Sequence, residues 1–126
     1  MASQQTVGSK QVGAFLEERV RRLGGNASIC YGELAAQLSL PAVTDAWFTH
    51  PLCNIFEQMD VEDAKLGRPL RTVLVFSRER NMPGEGFFKT YLQLHPHVRP
   101  PKTGPEKMKL YIDELNRVLS HYGNTV

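Results

Sequence analysis

Cysteine is scarce in this 126-residue chain: Cys30 and Cys53 are the only two, with no CxxC pair. A zinc centre needs about four Cys/His ligands at tight spacings, so no metal site is expected. A reducing compartment favours two free thiols over one disulfide. No apolar run approaches the ~20 residues that span a bilayer. Residues 1–10 lack the hydrophobic core of a signal peptide, and the expectation is a cytoplasmic protein. No phosphate-cradling loop is present, because Gly84-Glu85-Gly86 lacks the third glycine of a dinucleotide fingerprint; no cofactor is expected. Nor does one charge dominate. Fifteen Lys/Arg stand against 13 Asp/Glu, and a net charge of +2 excludes a polybasic tail.

What is present suits one folded domain. Hydrophobic residues make up 41% of the chain and charged residues 22%, a balance that supports a core. Residues 1–9 read as a flexible arm. Val12, Phe15, Leu16, Val20 and Leu23 then form one helical stripe, ended by Gly24-Gly25. Ser28-Ile29-Cys30 reads as a short strand and residues 31–38 as a helix closed before Pro41. Residues 44–59 are helical with a break near His50, since Pro51 suits a first turn and is costly in mid-helix. Residues 60–68 read as an acidic loop and residues 70–77 as the best strand of the chain. A glycine-rich turn and a short helix at 87–92 follow. Residues 95–105 hold four prolines and form a stiff linker. The stripe Met108, Tyr111, Leu115, Val118 and Tyr122 marks a C-terminal helix over 106–123. It folds back on the core or, alternatively, meets a second copy in a homodimer.

The order helix, strand, helix, turn, helix, strand, glycine-rich tip gives an α+β class and a winged helix-turn-helix with a small sheet, spanning residues 10–94. The run Ser28-Ile29-Cys30-Tyr31-Gly32-Glu33-Leu34-Ala35 resembles the strand-into-helix step of the alkyltransferase-like DNA-binding family. Pro69-Leu70-Arg71-Thr72-Val73 is similar to that family's Pro-x-x-Arg-Val strand. The resemblance covers about residues 28–76. Its acceptor-cysteine motif is missing, because Leu70 stands where the acceptor falls and Arg71 comes one place early. The resemblance therefore implies a duplex-binding fold without alkyl transfer. Met82-Pro83-Gly84-Glu85-Gly86-Phe87-Phe88 resembles a segment of small winged-helix proteins of prokaryotic and phage origin, some associated with restriction and defence systems.

Two surfaces compete for function. Arg68, Arg71, Arg78, Arg80 and Lys89 flank the strand and its tip, where cations contact phosphates; the bland alternative is a solvated edge guarded by charge. Thr44, Thr49, His50 and Asn54 lie at a helix start that can touch base edges. Against this, residues 23–64 contain six acidic residues and no Lys or Arg, whereas residues 65–109 are rich in both. Asp45, Trp47, Phe48, Glu57, Asp60, Glu62 and Asp63 therefore form an alternative acidic, aromatic face for a basic protein partner, unless the aromatics are core. Catalysis is not expected. Glu79 and Glu85 lack the spacing of a metal-dependent nuclease, no third group orients a His50–Cys53 pair, and His95 with His97 is too sparse for a metal. The leading expectation is a non-enzymatic duplex-DNA-binding protein. The alternative is an adaptor or inhibitor that engages a nucleic-acid enzyme.

Overall fold

The computed structural model describes residues 7–43 and 47–123. The first helix, α1 (Ser9–Leu23), turns its apolar stripe inward, burying Val12, Gly13, Leu16 and Val20. It stops at Gly24, whose φ of 55° is a conformation that glycine adopts without steric cost. A 3-10 turn over Gly24–Asn26 leads into β1 (Ile29–Cys30) and directly into α2 (Tyr31–Gln37). A second 3-10 turn, Trp47–Thr49, precedes α3 (Pro51–Lys65). The expected break at His50 is thus present. His50 caps α3, with its Nδ1 accepting the Leu52 N–H at 3.1 Å, and Pro51 occupies the first turn.

The acidic stretch 60–68 is not a loop, since α3 runs on to Lys65. Asp60 and Asp63 lie three apart on its inner face and are both buried, so a polar composition conceals an inward-facing helix. The expected strand 70–77 shrinks to β2 (Val75–Phe76), preceded by a 3-10 turn over Arg71–Leu74. The physical reason is that the amides before β2 have carboxylate partners. Leu70 N–H donates to Glu114 Oε2 at 2.7 Å and Arg71 N–H to Asp63 Oδ2 at 3.0 Å. Groups spent this way cannot build a ladder.

The sheet has two strands, β1 and β2, paired in parallel with Ile29 opposite Val75. A tight hairpin follows β2, closed by the Ser77–Met82 bridge and turned by Asn81 at a positive φ of 55°. Helix α4 (Glu85–Leu94) packs on α3. Helix α5 (Gly104–Tyr122) packs on α1 and on the 71–74 turn. Thr103 caps α5 by accepting the Glu106 N–H at 3.2 Å. The fold is mixed α/β and mostly helical, and one apolar cluster joins α1, α3, α4, α5 and both strands. The stripe offered as a homodimer contact is largely used inside: Tyr111 and Val118 are buried against this cluster, and Met108 alone of the five is exposed.

Among the described residues, Arg71 is the one buried cation, beside the buried carboxylates Asp60, Asp63 and Glu114. Arg71, 5% exposed, donates through Nε to both Asp63 oxygens at 3.1 Å, through Nη1 to Glu17 at 2.8 Å and through Nη2 to Glu62 at 3.2 Å. It ties α1 and α3 to the turn before β2. Gly13 makes room for it: a Cβ there would stand 2.2 Å from Arg71 Nη1. A mid-helix glycine costs about 1 kcal/mol relative to alanine, so Gly13→Ala gains helix propensity. The guanidinium is held by three carboxylates and cannot yield cheaply. We expect Gly13→Ala to destabilise the fold by about 1–3 kcal/mol in urea unfolding, and to stabilise it in an Arg71→Ala background. A net gain in the otherwise native chain would contradict this reading.

Candidate functional site

The five cations expected at the strand and its tip do not form one patch. Arg71 is internal, as described, and is withdrawn as a phosphate contact. Arg68 is half-buried and pairs with Asp63 at 2.9 Å and Glu62 at 3.6 Å, so its charge too is largely spent. Arg80 is exposed at the hairpin tip and pairs with Glu85 at 2.9 Å. Arg78 is exposed, and its Nε donates to Cys30 Sγ at 3.3 Å. This contact ties the base of the guanidinium to Cys30 at the start of α2, while the side chain as a whole stays exposed. Burial pushes the Cys30 thiol up, but the Arg78 hydrogen bond and charge, with a backbone amide at Glu33, bring it below its ordinary value. Cys53 moves the other way, raised by burial and by Glu57. Lys89 is exposed on α4 beside a shallow depression of about 350 Å³ that Phe88, Leu92, Pro101 and Lys107 also line.

The expected base-reading residues also divide. Thr44 lies outside the described residues. Thr49 and Asn54 are exposed at the start of α3. His50 is not available: it is buried, its Nδ1 serves as the helix cap, and its Nε2 lies 2.7 Å from the Pro41 carbonyl. An Nδ1 that accepts leaves Nε2 as the N–H that donates, so both ring nitrogens are engaged. This also removes it as a base for Cys53.

The acidic, aromatic face is corrected more strongly. Asp45 and the Phe48 side chain lie outside the described residues. Trp47 is half-buried, stacked on His50 at 5.7 Å and set edge-on to Tyr31 at 5.1 Å, with Phe56 at 5.7 Å. It builds the core edge that seats α2 on α3. Asp60 accepts the Thr72 hydroxyl at 2.7 Å, and Asp63 holds Arg71 and Arg68. Among the described residues of this set, Glu57 and Glu62 alone are exposed. Sequence reasoning missed Glu17, Thr72 and Glu114, whose contacts come from distant parts of the chain. The one local signal was the Asp60–Asp63 spacing in phase with Phe56 and Met59.

Among the described residues, no cluster of His, Cys, Asp or Glu is arranged to hold a metal ion, and no helix is long and apolar enough to cross a membrane. No protein-family model, curated protein or solved structure matches the chain.

Asp60 carries a pH signature. Burial pushes its carboxyl from 3.8 up to about 7, opposed by the Thr72 hydrogen bond, raised again by Asp63, lowered by Arg71 and raised by Glu114. A folded-state pKa above the unfolded value means that its contribution is complete below pH ~4 and fades as pH rises towards 7. Asp60→Asn cannot ionise. We expect its unfolding free energy, relative to the native chain, to rise between pH 4 and 8 by up to about 4 kcal/mol. A difference that stays constant over that range would refute the assignment.

Proposed function

We propose that this chain is a non-enzymatic protein that binds duplex DNA in the manner of a winged helix. The hairpin after β2 acts as the wing, and the start of α3 approaches the groove. The observation that carries the reading is Arg78: an exposed guanidinium, oriented by Cys30, at the base of a projecting turn. Arg80 on the same turn and Lys89 on α4 extend it with donors suited to phosphate oxygens. Thr49 and Asn54 supply polar groups of the kind that touch base edges. Glu57 and Glu62 repel phosphate, so the second half of α3 points away from the duplex. The element order behind this reading is helix, strand, helix, helix, strand and hairpin. Membership of the alkyltransferase-like family is part of the same proposal, and the missing acceptor motif separates it from alkyl transfer. The adaptor alternative is weaker, because Asp60, Asp63 and Trp47 serve the interior.

The test is fluorescence anisotropy with a mixed-sequence duplex of about 20 base pairs at 50–200 mM salt. Each phosphate contact contributes a slope of about 0.9 in log affinity against log salt, or nearly tenfold at 0.1 M. Arg78→Gln and Lys89→Gln should each weaken binding by about that factor and flatten the slope by about one unit, while Arg22→Gln on α1 should change little. No binding at 50 mM salt, or indifference to Arg78 and Lys89, would remove the proposal.

A further inference from the structure

The outer face of α3 beyond its first two turns has an unusual combination of groups. Val61 is 53% exposed and Leu66 59%, the two most exposed large apolar side chains among the described residues. They line a shallow depression of about 660 Å³ together with Glu57, Gln58, Glu62 and Lys65. Glu62 is already engaged by Arg71 and Arg68. Glu57 and Lys65 make no ion pair among the described residues. They cannot meet each other, since eight residues of helix separate them by about 12 Å.

The spacing is the informative part. Glu57, Val61 and Lys65 stand at i, i+4 and i+8 and share one helix face, with the apolar residue midway between opposite charges. A basic partner would satisfy Glu57 and leave Lys65 facing its own sign; an acidic partner would do the reverse. A surface carrying the same three groups in reverse order satisfies both. A second copy of this chain, related by a two-fold axis through Val61, presents that order. We propose that this face of α3 is a self-association surface, at which two copies meet antiparallel. Val61 packs on Val61, and Glu57 of each copy faces Lys65 of the other. The interface is isologous, so one favourable contact is made twice. Six residues per copy cover less than the ~800 Å² of a stable interface, so the dimer is weak and reversible. The inference is independent of the duplex-binding reading.

The test is sedimentation equilibrium of the full chain between 20 and 500 µM in low salt, numbers on the order that a weak interface requires. Glu57→Lys places lysine against Lys65 in both halves, and Lys65→Glu places glutamate against Glu57. Each variant alone should stay monomeric over that range. An equimolar mixture of the two restores opposite charges at both contacts and should associate at least as strongly as the native chain. The double exchange, Glu57→Lys with Lys65→Glu, should return self-association to within about threefold of native. All four positions of charge are exposed, and far-ultraviolet circular dichroism confirms that the variants are folded. A native chain that is monomeric at 500 µM, single variants that associate as the native chain does, or a mixture that remains monomeric would each overturn the proposal.

Discussion

Arg71 is the residue around which the interior is arranged. A guanidinium removed from water costs several kcal/mol unless its donors are matched. Here they reach Asp63, Glu17 and Glu62. These carboxylates come from two helices, so satisfying one side chain fixes α1 and α3 against the turn that leads to β2. The same turn is held further by Asp60 of α3, which accepts the Thr72 hydroxyl, and by Glu114 of α5, which accepts the Leu70 amide just before it. The register of β2 against β1, and with it the position of the hairpin that carries Arg78, follows from this set of polar contacts as much as from apolar packing.

The network also accounts for the distribution of charge. In sequence the chain divides into an acidic segment and a basic one. In the fold the two meet at the seam between α3 and the 71–74 turn, where Asp63 and Glu62 receive Arg68 and Arg71. Much of the apparent bipolarity is therefore neutralised inside one molecule. Among the exposed charges that make no ion pair are Arg78 on the hairpin, Lys89 on α4, and Glu57 with Lys65 on the outer face of α3.

Elements governed by local rules were legible in the sequence. The stripe of α1, the Gly24 stop, the His50–Pro51 break, the helix containing Phe87 and Tyr91 and the inward face of α5 all follow from periodicity and capping. The polar interior was not legible, because its partners are far apart in the chain: Glu17 and Arg71 are 54 residues apart, and Leu70 and Glu114 are 44 apart. Read locally, Asp60 and Asp63 are loop residues and Arg71 is a surface cation. Val73-Leu74-Val75-Phe76 reads as strand because its apolar character is real, yet the amides preceding it are claimed by carboxylates. Of the expected nucleic-acid contacts, Thr49, Asn54, Arg78, Arg80 and Lys89 lie at the surface of the fold. His50 and Trp47 were assigned to the interior by contacts that composition does not reveal.

Arg71 and Asp63 act as one coupled unit that holds α1, α3 and the β2 turn together. A double-mutant cycle on urea unfolding tests it most directly, with Arg71→Met, Asp63→Leu and the pair. Each single change leaves a buried partner uncompensated and should cost about 3–5 kcal/mol. The pair should cost less than the sum by about 2 kcal/mol or more, within the range seen for contacting residues. Additivity to within about 0.5 kcal/mol, the behaviour of independent sites, would contradict the account.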